Sequence, residues 1–246
     1  MRTIRKRVFE TNSSTTHCIS FSKDYKKITD IPLRDKSEFP ALDANGNLEI
    51  ELNIYWDNDV VQTDMDFSSA EVFIKYLAAQ AVFSSLECLY GGRKNTEYKN
   101  HYDKNHVDFL KDLQNAYLKI GLTPPNDVRP YFLDINDNKI YFNKDNVYNW
   151  FDTYENSWYD SKKDYDRNIA KRIKKNPDAA NWPYAKNKMG VCGNDLSHNS
   201  YEDATHYFES NFSYWSDDEN EESNNDFDFT TVDVLTRKVT LGFYHS

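Results

Sequence analysis

The chain has 246 residues, of which 39% are hydrophobic, 28% charged and 15% aromatic. This aromatic content predicts a packed core and excludes a wholly disordered chain. The formal net charge of −10 disfavours direct binding of duplex DNA, because phosphate contacts require a basic surface.

The cysteine pattern and the hydropathy pattern predict a protein of a reducing cytoplasm. Cys18, Cys88 and Cys192 are odd in number and far apart, so we expect no disulfide framework. No apolar run reaches the roughly 18 residues that a membrane span needs. The basic N-terminus is followed by polar residues and not by the apolar stretch of a secretory signal.

The N-terminal residues alternate as two strands, Thr3–Phe9 and Thr15–Ser22, on either side of a polar turn. The turn and its flanks carry the first candidate site, which comprises Arg7, Glu10, Asn12, Ser13, Ser14 and His17. Hydroxyl, amide and guanidinium groups suit a phosphate or a nucleotide, and His17 can titrate near neutrality. The alternative is a hydrogen-bonded turn that only locks the two strands together.

Residues 9–17 read Phe-Glu-Thr-Asn-Ser-Ser-Thr-Thr-His. This stretch resembles a Phe-Glu-Thr-Asn-Ser-Ser-Ser-x-His-like motif found in uncharacterised proteins of tailed phages. It departs from that motif at Thr15, where Ser is more usual. The resemblance implies a phage-encoded accessory protein that acts in the host bacterial cytoplasm, and it supplies no catalytic residue.

The middle of the chain predicts one strand followed by two helices. Leu48–Ile54 alternates strictly and places Glu49 and Glu51 on its polar face. A helix begins at Ser68, with Glu71 in capping-box spacing, and is apolar nearly all round. A second helix is predicted over Asp103–Ile120, with a core stripe of Val107, Leu110, Leu113, Tyr117 and Leu118.

The second half of the chain adds hairpins and shorter helices. A hairpin is predicted for Tyr131–Ile135 with Lys139–Phe142, and another for Phe227–Leu235 with Val239–Tyr244. Short helices are predicted at Asn146–Tyr154, Ser161–Lys175 and Tyr201–Asn211. We therefore expect a single α+β domain over residues 1–246, in which an antiparallel sheet of N- and C-terminal strands packs on a helical segment at roughly 68–175.

Negative charge is concentrated near the C-terminus. Residues 189–236 contain twelve Asp or Glu and no Lys or Arg, so the remaining residues carry a net charge of +2. We expect a mobile acidic loop at roughly 216–226. It is either a solvated loop or a surface that occupies a basic, nucleic-acid-binding groove of another protein, with carboxylates in place of phosphates and rings in place of bases. The candidate partner-binding residues are Phe212, Tyr214, Trp215, Asp217, Asp218, Glu219, Glu221 and Glu222.

Two other kinds of site fit the sequence less well. His17 and Cys18 with Cys192 and His198 lack the spacing of a zinc site, so we expect no metal and no cofactor. Glu49 and Glu51 with Arg7 and the serines loosely match ADP-ribosyl transfer chemistry, although their order and spacing differ from the known pattern.

The preferred hypothesis is a non-catalytic phage protein that binds and inhibits or redirects a host protein, such as a defence or nucleic-acid-handling factor. The alternative is a nucleotide- or phosphate-binding enzyme, ADP-ribosyltransferase-like, with its site at residues 7–17.

Overall fold

The computed structural model describes residues 15–21, 25, 27–52, 65–83, 95–134, 136–145, 166–167, 170–171, 173–174, 201–202, 205 and 229–245. The elements are strands β1 (Thr15–Ser20), β2 (Leu48–Glu51), β3 (Met65–Phe67), β4 (Val128–Leu133), β5 (Lys139–Tyr141) and β6 (Thr240–His245), and helices α1 (Ala70–Phe83), α2 (Asn95–Lys119) and α3 (Thr231–Thr236). Two short 3₁₀ helices, Ile28–Asp30 and Lys36–Glu38, precede β2. The α+β class predicted from the sequence is confirmed.

The first sheet joins strands from the two ends of the chain. Its order is β1-β6-β3, and β6 is antiparallel to both neighbours. Thr15 lies opposite His245, and Met65 lies opposite Phe243. The predicted pairing of N- and C-terminal strands is therefore confirmed, while β3 was not predicted. The proposed strand Thr3–Phe9 lies outside the described residues.

The second sheet is mixed, with the order β2-β4-β5. The predicted hairpin is confirmed, because β4 runs antiparallel to β5 with Tyr131 opposite Tyr141. However, β4 pairs in parallel with β2, and this pairing was not predicted from the sequence. A parallel pair needs a long crossover, and both α1 and α2 lie between β2 and β4 in the chain.

Helix α1 forms the centre of the core, as its continuous apolar sequence predicted. Phe73, Ile74, Leu77 and Val82 are buried, and the helix packs against α2, α3, β2 and β4. The predicted capping box at Ser68 is wrong. Ser69 Oγ instead accepts a hydrogen bond from the Val72 backbone N–H, while Glu71 pairs with Lys75 at 2.9 Å.

Helix α2 begins eight residues before the predicted start and ends within one residue of the predicted end. Leu113 and Tyr117 are buried as expected, but Val107 and Leu118 are 61% and 59% exposed. Their assignment to the core stripe is therefore wrong. Eleven residues are about three helical turns, so Val107 and Leu118 share the solvent-facing side of the helix.

The C-terminal segment differs from the predicted hairpin at its first strand. The described residues from Thr231 to Thr236 form helix α3 and not a strand. Thr230 and Asp233 form a capping box at its start, in which Thr230 Oγ1 accepts a hydrogen bond from the Asp233 backbone N–H at 3.1 Å. This cap favours a helix over the extended backbone that apolar alternation had suggested.

Two buried arginines attach the C-terminal segment to residues 31–38. Arg34 donates hydrogen bonds to the carbonyl oxygens of Ser68 at 2.5 Å and Val239 at 2.6 Å. Arg237 donates to the carbonyl oxygen of Ile31 at 2.7 Å. Burial lowers the pKa of Arg34, and the neighbouring Glu38 carboxylate opposes that shift. These contacts hold the start of α1, the 3₁₀ helices and β6 together.

Candidate partner-binding cleft

A polar cleft of about 380 Å³ lies between α2, the described residues among 201–205, and the start of α3. Helix α2 contributes four charged residues that are one helical turn apart or adjacent, namely Lys104, Asp108, Lys111 and Asp112. This volume falls within the range that small-molecule and side-chain pockets occupy. We refer to it below as the α2–α3 cleft.

Tyr201 fixes one wall of the cleft to α2. It is 1% exposed, its ring lies 5.7 Å from that of Phe109, and its backbone N–H donates to Asn105 Oδ1 at 3.0 Å. Its hydroxyl donates to Asp112 Oδ2 at 3.0 Å. Burial, together with the charges of Asp112 and Asp108, raises the pKa of Tyr201 well above its ordinary value. The phenol therefore stays protonated and holds the Asp112 carboxylate in place.

The opposite wall is held by the network around Asp233. Its carboxylate accepts hydrogen bonds from Lys119 Nζ at 2.6 Å, Thr230 Oγ1 at 2.8 Å and Arg237 Nε at 3.2 Å. Burial, the largest single influence, raises the pKa of Asp233, but these hydrogen bonds outweigh burial and the net shift is downward. The carboxylate therefore stays ionised and ties α3 to α2.

Charged side chains of both signs line the cleft. Lys104 and Glu202 form an ion pair at 2.7 Å, and Thr205 Oγ1 donates to the Glu202 carbonyl oxygen at 3.1 Å. Asp108 and Lys111 line the cleft and form no ion pair with another described residue.

The described residues on either side of the acidic-aromatic segment line this cleft. Thr205 lines one wall and Thr230 the other, and the chain between them contains all eight predicted partner-binding residues. Phe229 is completely buried, with its ring 5.6 Å from that of Phe21. The eight residues themselves, 212, 214, 215, 217–219, 221 and 222, lie outside the described residues.

Of the six candidate residues of the polar turn, only His17 is among the described residues. Arg7, Glu10, Asn12, Ser13 and Ser14 lie outside the described residues. His17 lies on β1, opposite Phe243 of β6 in the first sheet.

Glu49, the carboxylate considered with the polar turn for ADP-ribosyl transfer, lies on β2 in the second sheet. It pairs with Lys139, accepts a hydrogen bond from the Tyr141 hydroxyl at 2.5 Å, and lies 3.7 Å from Arg129 Nη1. The hydrogen bonds from Lys139 and Tyr141 lower its pKa. The Glu49 oxygens are thus already engaged by three neighbours on the sheet surface.

Metal-binding and membrane-spanning features are not found in the part of the chain that the structure describes. No group of three or more His, Cys, Asp or Glu side chains there could hold a metal ion, and Cys192 and His198 lie outside that part. Within the same residues, no helix combines the length and the apolar character needed to cross a membrane.

The comparisons with known proteins identify no relative. No family model matches the chain, and neither a curated protein nor a solved structure matches it significantly. The fold and the site are therefore interpreted from the chain's own residues.

Sequence reasoning did not find the α2–α3 cleft. The charged residues of α2 carried a weak signal, because Lys104, Asp108 and Asp112 are spaced four residues apart and share one helical face. On an amphipathic helix the same spacing usually marks a solvated surface. The contact of Tyr201 with that face, about ninety residues further along the chain, could not be read from local sequence.

Proposed function

We propose that this chain is a non-catalytic, phage-encoded accessory protein that binds and inhibits or redirects a host protein. Its partner-binding residues are those named above, from Phe212 to Glu222, and the partner carries a basic groove that ordinarily holds nucleic acid. The observation that supports this proposal best is that Thr205 and Thr230, the described residues that flank the acidic-aromatic segment, line the same cleft.

Attachment at both ends favours binding for an entropic reason. A segment held at two neighbouring points explores fewer conformations than a free tail, so less entropy is lost when a partner orders it. The buried Tyr201 and Phe229 supply the two fixed points.

The charge of the segment supports a basic partner. Residues 206–228 contain eight Asp or Glu and no Lys or Arg. Such a concentration attracts a basic surface over distances near the Debye length, about 8–10 Å at physiological salt. Phe212, Tyr214 and Trp215 then provide the short-range apolar contacts that slow dissociation.

The alternative proposal remains a nucleotide- or phosphate-binding enzyme with its site at the polar turn. It would require Arg7, the serines and His17 to converge on one ligand. The engagement of Glu49 by Lys139, Tyr141 and Arg129 does not favour this alternative.

The test uses a variant in which Asp217, Asp218, Glu219, Glu221 and Glu222 are changed to Asn or Gln. Its matched control removes five exposed carboxylates elsewhere, at Asp30, Asp35, Glu71, Asp103 and Asp137. Each protein is immobilised, the partner is captured from bacterial host lysate by wild type, and association is then measured at two ionic strengths.

We expect the segment variant to associate at least about tenfold more slowly and to lose most of the salt dependence, while the control keeps both. Trp215→Ala should act mainly on the dissociation rate. Equal association rates and equal salt slopes for wild type and the segment variant would show that the segment is a solvated loop without a binding role.

A further inference from the structure

The turn formed by residues 43–47 contains a chemically reactive dipeptide. Asn45 is exposed and is followed by Gly46, and this is the one Asn-Gly pair in the sequence. Glycine has no Cβ, so no side chain shields its backbone nitrogen from the carboxamide of the preceding asparagine. We propose that Asn45 is a site of spontaneous deamidation, and that opening of this turn sets the rate of the reaction.

The reaction needs water as its only co-reactant. The Gly46 backbone nitrogen attacks Cγ of Asn45, the new C–N bond closes a succinimide ring, and the Cγ–Nδ2 bond breaks to release ammonia. The proton of the Gly46 N–H leaves with that ammonia. Water then adds to either ring carbonyl and opens the ring, which gives aspartate or isoaspartate at position 45. No atom is oxidised or reduced.

The folded turn holds the peptide group between Asn45 and Gly46 on both sides. The Gly46 N–H donates to the Asp43 carbonyl oxygen at 3.0 Å, and the Asn45 carbonyl oxygen accepts from Asn126 Nδ2 at 2.9 Å. Rotation of this peptide group toward the Asn45 side chain would break both hydrogen bonds, so the reaction proceeds from a locally open state. Its rate is then the chemical rate multiplied by the open fraction.

The second turn, residues 134–138, provides an internal reference. The Asn136 N–H donates to Asp134 Oδ1 at 2.8 Å, and the Asp137 N–H donates to the Asp134 carbonyl oxygen at 3.0 Å. These bonds match those of the first turn, and Asn136 is also exposed. However, the residue after Asn136 is Asp137, whose side chain hinders attack by its own backbone nitrogen. We therefore expect Asn45 to react faster than Asn136.

The products would weaken the junction between the first turn and the second sheet. Asn126 also contacts the turn through its backbone N–H, which donates to the Gly46 carbonyl oxygen at 2.8 Å. The parallel pairing of β2 with β4 begins two residues further on, at Leu48. Isoaspartate lengthens the backbone by a methylene, and either product adds a carboxylate near Asp43. The modified protein should therefore unfold at a lower urea concentration than the unmodified protein.

The experiment follows the intact chain at mildly alkaline pH by peptide mapping, which separates asparagine, aspartate and isoaspartate at position 45. A synthetic peptide of residues 41–49 gives the chemical rate without the folded turn. Asp43→Ala removes the carboxylate that accepts from the N–H groups of Asn45 and Asn47. Asp134→Ala is the matched control, because it removes the equivalent carboxylate of the second turn.

We expect Asn45 of the wild type to react more slowly than the peptide. Asp43→Ala should accelerate the reaction at Asn45 by about five- to tenfold, because the lost hydrogen bonds raise the open fraction, whereas Asp134→Ala should leave that rate unchanged. A second measurement needs no variant. Urea below the unfolding midpoint should raise the wild-type rate toward the rate of the peptide, because it populates open states.

Three results would each overturn the proposal. The first is an Asn45 that stays intact in both the wild type and Asp43→Ala while the peptide reacts completely. The second is an equal rate at Asn45 in those two proteins, with no acceleration of the wild type by urea. The third is a reaction at Asn136 as fast as that at Asn45, because the glycine would then not be what makes position 45 reactive.

Discussion

At the scale of single residues, two turns show the same local design. Asp43 Oδ1 accepts hydrogen bonds from the backbone N–H groups of Asn45 and Asn47, each at 2.8 Å. Asp134 Oδ1 accepts from the same relative positions, also at 2.8 Å. These bonds and those from the Asn side chains lower the pKa of both carboxyls. The fourth position has a positive φ in both turns, 77° at Gly46 and 66° at Asp137.

Substitutions at the fourth position of the two turns should affect the free energy of unfolding differently. Gly46→Ala should lower the free energy of unfolding by about 1–2 kcal/mol, because the backbone is left-handed and the new Cβ would lie 2.6 Å from Asn126 Nδ2. Asp137→Gly should leave it unchanged or raise it by up to about 1 kcal/mol. Urea denaturation of both variants provides the measurement, and a stable Gly46→Ala protein would contradict the expectation.

Leu77 provides the residue-scale test of the core. Its side chain is completely buried in the middle of α1. Leu77→Ala should lower the free energy of unfolding by about 2–5 kcal/mol, whereas Val107→Ala on the exposed face of α2 should change it by less than about 0.5 kcal/mol. Phe83 belongs to α1, but its side chain lies outside the described residues. A small effect at Leu77 would mean that α1 is peripheral.

At the scale of elements, the stability of helix α3 comes from side-chain contacts more than from the hydrogen bonds of its own short backbone. Six residues form a helix that is marginal in isolation. The capping box at Thr230 and the contacts of Asp233 with Lys119 and Arg237 hold it in place. A short apolar run therefore becomes a helix because its first turn is capped and anchored.

The Asp233 carboxylate should make the stability of α3 depend on pH. The pKa of Asp233 is lowered in the folded state, so its contribution is present above the unfolded pKa, about 3.9, and is lost as pH falls through the lower folded pKa. Asp233→Asn should therefore reduce the free energy of unfolding by about 1–3 kcal/mol at pH 6 and by less at pH 3.

Urea unfolding of wild type and variant at the two pH values measures this difference. The exposed Asp103–Lys144 pair gives the control, because Asp103→Asn should cost less than about 0.5 kcal/mol at pH 6. An Asp233→Asn loss of the same size at both pH values would show that the ionised carboxylate is not the cause.

At the scale of the whole molecule, the polar turn directly precedes β1 in the sequence, and β1 belongs to the sheet that joins the two ends of the chain. His17 on β1 pairs with β6, so the turn leads directly into a strand held by the C-terminus. A structural role and a ligand-binding role for the turn therefore predict different results when the same residues are changed.

The double variant Ser13→Ala with His17→Ala distinguishes these roles. For a ligand site, activity or binding should be lost with the melting temperature nearly unchanged. For a structural turn, the melting temperature should fall because buried donors lose their partners. Calorimetry with the partner-association assay measures both quantities, and a stability loss without a specific binding defect would remove the site hypothesis.

The sequence by itself determined the elements that local forces specify. The continuous apolar stretch of α1, the hairpin of β4 and β5, and the alternating terminal strands follow from side-chain periodicity and turn residues over a few positions. These patterns act within one segment, and the α+β class follows from their order. The candidate residues of the polar turn and the acidic segment were also visible as composition, although composition does not give their geometry.

Only the tertiary structure decided the features that join distant segments. The parallel pairing of β2 with β4, the helical state of Thr231–Thr236 and the exposure of Val107 and Leu118 each depend on which surface a neighbour covers. The α2–α3 cleft is the clearest case, because its walls come from three separate parts of the chain. A local pattern can place Asp108 and Asp112 on one helical face, but only the packing of Tyr201 and α3 against that face makes it a cleft.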